Sequence, residues 1–315
     1  MTLLKVSNLE VDFVEKGTVI NSPLRGINLE IATGETLGIV GETGCGKTLT
    51  ATAIMGLLPK NTQIRGEIEF AKFGKVSSNE ISEMRGSEIT MIFQNPQSSF
   101  NPIFTIGAQL RMVAQRRGIK DSEIRALLKT RLKSVGLDDY TRVLASYPHE
   151  LSGGMLQRCM IAMAILGSPK LLIADEPITA LDATIGHQVL ALIKKLQKEE
   201  GFAMIFISHD VSAVAKVSDE ISVIYGGRVV ENGPTEKVIT TPMHPYTKGL
   251  LGSIPSANKK RGTLNSIKGT VPSNLKDITG CTFRTRCDYA NLECEKSPEY
   301  RLIDARQVAC WRAPL

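Results

Sequence analysis

Three short apolar runs stand out because each ends abruptly in chemically loaded residues. Residues 36–40 lead into a glycine-rich loop, residues 171–174 into Asp175-Glu176, and residues 204–207 into Ser208-His209. Runs of four or five apolar residues without polar alternation predict strands buried on both faces, the habit of a mostly parallel sheet covered by helices. Sheets of that kind bind ligands beyond the carboxyl ends of their strands, so the three loaded turns are expected to lie together. After the first run, residues 47–58 read as a helix stopped by Pro59. Residues 106–137, rich in Leu, Arg, Lys and Ala, read as an inserted helical subdomain. Residues 221–225, then Gly226-Gly227, then 228–231 predict a hairpin with a two-residue turn. From Thr241 onward Pro242, Pro245, Pro255 and Pro272 punctuate a less periodic stretch, which places a boundary near residue 240.

Composition then narrows the class. Apolar residues make up 42% of the chain and charged residues 22%, the balance of a globular protein, which excludes disorder, collagen and coiled coil as overall descriptions. A length of 315 residues suggests about two domains at roughly 150 residues each. The N-terminus meets Glu10 and Asp12 without an apolar leader, and nowhere do roughly 18 apolar residues follow one another. Neither a secretory signal nor a membrane-spanning helix is therefore expected. The net charge of +6 is modest and aromatics are only 5%, so no nucleic-acid partner is expected either.

Gly41-Glu42-Thr43-Gly44-Cys45-Gly46-Lys47-Thr48 has the pattern G-x-x-x-x-G-K-[ST] between a predicted strand and a predicted helix, the context a phosphate-binding loop requires. Backbone N–H groups of Gly41, Thr43, Gly44, Cys45 and Gly46 can face an anion, and the helix N-terminus adds positive partial charge. Lys47 is placed to reach the β- and γ-phosphates and the Thr48 hydroxyl to ligate Mg²⁺, so ATP and Mg²⁺ are the expected cofactors. Cys45 reads either as a small filler or as a reactive thiol that bound ATP would protect. Asp175, at the end of an apolar run, places a carboxylate near the Mg²⁺ shell, and adjacent Glu176 can orient or deprotonate the attacking water.

Leu151-Ser152-Gly153-Gly154-Met155, preceded by Pro148-His149-Glu150 and followed by Gln157-Arg158, resembles the LSGGQ signature of the ATP-binding cassette (ABC) ATPases, with Met155 in place of the usual Gln. Ser152 and the Gly153-Gly154 backbone at a helix N-terminus would form a second anion site. The resemblance continues in order. Met91-Ile92-Phe93-Gln94 resembles the Q-loop, where Gln94 would contact Mg²⁺ and the attacking water. Ala180-Leu181-Asp182 resembles the D-loop that crosses the dimer, and Ile207-Ser208-His209-Asp210 resembles the switch strand, with His209 on the γ-phosphate. Phe13 stands where an aromatic stacks on adenine in the family, its other reading being an edge-strand core residue.

Over residues 3–240 the resemblance implies an α/β P-loop NTPase of ABC type. Such a domain has a mostly parallel core sheet, an antiparallel β subdomain and an inserted helical subdomain, here at about residues 96–150. The family sandwiches ATP between the phosphate loop of one cassette and the signature of another, which implies pairing with a paralogous ATPase or with a second copy of this chain.

His244-Pro245-Tyr246-Thr247-Lys248-Gly249-Leu250-Leu251, then Ser253-Ile254-Pro255, resembles the segment after the cassette in ATPase subunits of dipeptide and oligopeptide importers, which makes residues 241–315 a C-terminal extension. Four of the six cysteines fall there, Cys281, Cys287, Cys294 and Cys310, spaced C-x5-C-x6-C-x15-C. Four thiolates suit a [4Fe–4S] cluster or a tetrahedral zinc. Structural zinc sites usually pair their cysteines at two to four intervening residues, and none of these intervals is that short. A cluster is thus expected, with zinc as the alternative and disulfides disfavoured in a cytosolic chain. Because the cysteines lie far from the phosphate motifs in sequence, the cluster is expected only to pin the tail.

The resemblance implies the energising subunit of a peptide importer, peripheral on the cytoplasmic face of the inner membrane. Its partners would be two integral-membrane permeases, a second ATPase and an extracytoplasmic substrate-binding protein. The same subgroup includes importers of nickel and other small solutes. The competing class is a soluble ABC ATPase acting on ribosomes or nucleic acid, whose members generally carry two cassettes or long coiled coils, and neither is present in these residues.

Overall fold

The computed structural model describes residues 1–179, 181–253, 267–272 and 278–314. The first stretch of chain forms β1 (Thr2–Glu15), β2 (Thr18–Ala32), β3 (Thr36–Val40), α1 (Lys47–Ile54), β4 (Thr62–Phe70), β5 (Gly74–Lys75), α2 (Ser78–Met84) and β6 (Ile89–Ile92). There follow α3 (Pro96–Ser99), α4 (Ile106–Arg116), α5 (Asp121–Ser134), α6 (Tyr140–Ala145), α7 (Gly153–Ala164), β7 (Leu171–Asp175), α8 (Ala183–Glu200) and β8 (Ala203–Ile207). The remainder forms α9 (Val211–Val217), β9 (Glu220–Tyr225), β10 (Arg228–Pro234), α10 (Thr235–Thr240), α11 (Pro245–Gly252), β11 (Arg301–Ile303) and β12 (Arg306–Val308).

The chain divides into two compact units. The first comprises Met1–Ala32, Thr36–Ser78 and Ile207–Leu315, and the second Thr33–Glu35 and Asn79–Phe206. The first unit contains an antiparallel sheet in the order β2-β1-β4-β5. It also contains the strand series β11-β12-β10-β9-β3, in which β3 runs parallel to β9 and the other neighbours are antiparallel. Every residue of β3 is buried, as its unbroken apolar run requires. Helix α9 lies so close to β3 that a Cβ on Gly38 would stand 2.2 Å from Val214 Cγ1. The expected hairpin is present: Arg228 pairs with Tyr225, leaving Gly226-Gly227 as the turn. Residues beyond 300 join the same strands, with Val308 opposite Glu231, and Met243, Val308, Cys310 and Ala313 share a small apolar cluster.

In the second unit β6 and β7 pair in parallel and β8 adjoins β7. The helical reading of residues 106–137 holds as two helices, α4 and α5. Apolar positions repeat every four residues on each: Ile106, Leu110 and Ala114, then Ile124, Leu128 and Leu132, all buried.

One element is shorter than its sequence suggested. Helix α1 ends at Ile54 rather than near Leu58 because Gly56, at φ +61°, takes the left-handed position after the helix. The Gly56 N–H bonds to the Ala53 carbonyl and the Leu57 N–H to the Thr52 carbonyl, a Schellman closure that stops the helix before Pro59 can. Among the described residues no helix is long and apolar enough to cross a membrane.

Candidate functional site

In the first unit, β3 delivers the chain into the loop Gly41–Thr48, from which α1 departs. Gly46, the residue before α1, sits at φ +102°, where a Cβ would come within 2.7 Å of Leu24 Cδ2. Gly46 has no side chain with which to cap α1, and the first turn of that helix carries no acidic residue. Lys47 is 5% exposed and its Nζ donates to the carbonyls of Gly41 at 2.8 Å and Glu42 at 2.9 Å. The loop is thereby looped around its own ammonium group, while Thr43, Gly44 and Thr48 lie exposed. Cys45 is fully buried and burial raises its pKa, with its sulfur 3.9 Å from the Tyr246 hydroxyl. Of the two readings of this thiol, the filler is the one the structure favours.

His209 belongs to the same unit. The Ser208 N–H bonds to the Ile39 carbonyl at 3.2 Å, and the Asp210 side chain caps α9 by accepting from Ser212 and Ala213 N–H groups. Between these two anchors the His209 side chain is exposed. Phe13 is partly exposed on β1, with Asn21 and Thr62 as its partners on the flanking strands.

The second unit holds the carboxylates. Parallel pairing sets Ile92 opposite Ala174, so Gln94 and Glu176, each two residues further on, emerge from neighbouring strand ends. The Gln94 Nε2 donates to Glu176 Oε2 at 3.0 Å, and the Thr179 hydroxyl donates to the same oxygen at 2.9 Å. Glu176 has φ +46°, a left-handed backbone that a non-glycine residue occupies at a cost of about 1–3 kcal/mol and that gathers at functional sites. Asp175, the last residue of β7, is 2% exposed.

Ser152 stands at the N-cap of α7, its Oγ accepting from the Met155 N–H, with Gly153 and Gly154 as the first helical residues. Asp182 caps α8 by accepting from the Ile185 N–H. A Cβ on Gly154 would lie 3.0 Å from Ile185 Cγ2, so the signature turn and the start of α8 are packed side by side. Ala180 of the D-loop pattern lies outside the described residues.

Sequence reasoning missed a partner of the phosphate loop. The tail lies far from the phosphate motifs in sequence and was given only a structural part, yet the Tyr246 hydroxyl accepts from the Glu42 N–H at 2.7 Å and Arg286 forms an ion pair with the Glu42 side chain. Tyr246, Tyr225 and Phe283 form one aromatic block, with ring centroids 4.6–5.4 Å apart. The one available signal was Arg286 itself, a cation beside Cys287 whose near neighbour in sequence, Asp288, pairs with Lys268 instead.

All six cysteines are free thiols. In the tail, burial foremost, with smaller contributions from Cys294, Cys310 and Cys287, pushes Cys281 up to about 11. Cys287 and Cys310 are raised by burial and by their fellow thiols in the same way. The Cys281 N–H also donates to the Cys294 carbonyl at 2.9 Å. Among the described residues no three His, Cys, Asp or Glu side chains are arranged to hold a single metal ion.

Comparison with known proteins places these features in context. Residues 24–179 match the family model described as ABC transporter, and residues 230–294 match that described as Oligopeptide/dipeptide transporter, C-terminal region. A probable peptide ABC transporter ATP-binding protein of Sinorhizobium fredii is 43% identical over 99% of this chain and 95% of its own length. The dipeptide transport ATP-binding protein DppD of Bacillus subtilis is 39% identical over 98% of this chain and 94% of its own. The oligopeptide transport ATP-binding protein OppD of Haemophilus influenzae is 40% identical over 98% and 97%. Among solved structures, the dimeric post-hydrolysis ATP-binding cassette MJ0796 bound to ADP and Pi superposes with a TM-score of 0.64 at 26% identity, covering 74% of this chain and 99% of its own. CbiO1 of Clostridium perfringens gives the same score at 28% identity over 75% and 90%.

Proposed function

Because the chain belongs to the ABC transporter ATPases that carry the oligopeptide/dipeptide C-terminal region, we propose that it is the ATP-binding and ATP-hydrolysing subunit that powers import of di- and oligopeptides. What carries this reading is the presence in one chain of the Lys47 phosphate loop and of residues 230–294 matching that C-terminal region.

The roles follow from chemistry. Lys47 and the N–H groups of Gly41, Thr43, Gly44, Cys45 and Gly46 bind the phosphates, and Phe13 stacks on the adenine. Glu176 orients the attacking water and accepts its proton, Gln94 holds that carboxylate in place, and His209 donates to the γ-phosphate. The family resemblance assigns Thr48, Asp175 and Gln94, all oxygen donors of the kind a hard cation takes, to Mg²⁺, which when bound would neutralise charge on the phosphates. Ser152, Gly153, Gly154 and Asp182 engage the nucleotide of a second cassette, a paralogue or another copy of this chain.

Residues 1–240 form the cassette, with its helical subdomain at about 96–150, and residues 241–315 the extension. The subunit works at the cytoplasmic face of the inner membrane against two permeases, with an extracytoplasmic substrate-binding protein delivering the cargo. Hydrolysis is tested by Glu176→Gln: ATP binding persists while turnover falls at least about 100-fold and an ATP-bound dimer accumulates. Undiminished turnover would remove Glu176 from this role.

The tail thiols suit a [4Fe–4S] cluster better than zinc. Support comes from the spacing C-x5-C-x6-C-x15-C of Cys281, Cys287, Cys294 and Cys310, which has no interval as short as the two to four residues usual between zinc cysteines. A cluster, when bound, would fix the tail as a structural staple after displacing the thiol protons. Anaerobically isolated protein should show broad visible absorbance that dithionite bleaches, whereas stoichiometric zinc without colour would favour the ion.

A further inference from the structure

The ion pair between the tail and the phosphate loop is built with unusual completeness. Arg286 Nη1 donates to Glu42 Oε2 at 2.5 Å and Nη2 to Glu42 Oε1 at 3.0 Å, a two-pronged fork from a guanidinium only 5% exposed. Its remaining donors reach the Lys268 carbonyl from Nε at 2.7 Å, the Gly269 carbonyl from Nη2 at 3.0 Å and the Tyr225 hydroxyl from Nη1 at 3.4 Å. All five N–H groups are thus engaged, which a lysine with three donors on a flexible stem cannot reproduce.

Glu42 is the second residue of the loop, and its backbone is held as firmly as its side chain. Its N–H donates to Tyr246 and its carbonyl accepts from Lys47 Nζ. A carboxylate beside a loop built to receive phosphates repels the ligand that the loop exists to bind. The buried cation beside it cancels that repulsion. We propose that Arg286 is a positioning residue for ATP binding: through its fork on Glu42 it neutralises the loop's own carboxylate and sets the loop's entry, which makes the extension part of the nucleotide-binding apparatus.

The inference rests on the reading of Gly41–Thr48 as an ATP-binding loop, and one titration series separates the two. MgATP affinity of the full chain is measured by calorimetry at low ionic strength for the unaltered protein, R286A, E42Q and the double variant. An unaltered chain that binds no MgATP would overturn the ATP reading itself. With binding present, R286A is expected to weaken affinity about tenfold and E42Q to strengthen it severalfold, because one unmasks a negative charge and the other a positive one. The double variant should return to within about threefold of the unaltered protein, and about 0.5 M salt should shrink every difference. A mere brace predicts the same sign for both single variants, so weakening in both, or no change in either, would overturn the proposal. Should R286A fail to fold, E42Q decides alone: tighter binding supports charge compensation, and unchanged or weaker binding contradicts it.

Discussion

The Gln94 side-chain amide donates to the Glu176 carboxylate at 3.0 Å, across 82 residues of sequence. The parallel register of β6 and β7 makes that meeting obligatory, and the Thr179 hydroxyl closes the other side of the same oxygen. Two donors on one oxygen fix the orientation of the carboxylate that would act on the water. Gln94→Ala should therefore lower kcat of ATP hydrolysis about tenfold to a hundredfold with little change in KM. Steady-state ATPase kinetics decide it; a raised KM at unchanged kcat would assign Gln94 to ground-state binding alone.

Lys47 donates to two carbonyls of its own loop and is nearly inaccessible to solvent. Its charge is thus positioned before any nucleotide arrives. Hydrogen bonds to charged groups contribute about 1.5–3 kcal/mol each, so Lys47→Ala should weaken ATP binding roughly ten- to a hundredfold. Titration with a fluorescent ATP analogue measures this, and unchanged affinity would place the phosphates elsewhere.

Cys45 is sealed in the loop and its thiol is held above the ordinary range by burial. Thiolate, the form that reacts, is suppressed throughout neutral pH. Maleimide should leave Cys45 unmodified in the native chain whether or not ATP is present, and should modify it once the chain is denatured. Mass spectrometry of the loop peptide reads this out; rapid native labelling that ATP slows would restore the reactive thiol.

His244 gives a pH dependence with a definite sign. Its ring is buried, which pushes its pKa down to about 3, and Nδ1 accepts from the Tyr246 N–H at 3.0 Å to cap α11. The unfolded chain takes up a proton near 6.5, which the folded chain refuses until about 3. The depressed folded pKa means that His244 contributes its full stability above 6.5 and loses it progressively as pH falls toward about 3. His244→Asn retains an N-cap acceptor without that titration, so its melting temperature should vary less than the parent's between about pH 7 and pH 5. Parallel melting curves for the two proteins would contradict this account.

What was legible in the sequence had a local cause. β3, β7 and β8 are continuous apolar runs because both faces are covered, and Gly226-Gly227 marks its hairpin in two residues. The long strands β1 and β2 carry no such mark, since repeated register shifts such as that between Val6 and Leu9 break their alternation. The end of α1 was misplaced because the proline was more conspicuous than Gly56, which acts first. The phosphate loop could be read whole, but its grip by Tyr246 and Arg286 spans more than 200 residues and leaves no local pattern. The bond between Gln94 and Glu176 needed the register of two strands before their side chains could be brought together.

The central claim is that this chain powers a peptide importer, and its most direct test is to isolate the tagged chain from gently solubilised membranes of its native cell and identify what accompanies it. Two integral-membrane permeases, a second cassette ATPase or a second copy of this chain, and a peptide-binding protein are the predicted companions. Recovery with ribosomes or nucleic acid, and without permeases, would leave the ATPase chemistry intact and contradict the transport role.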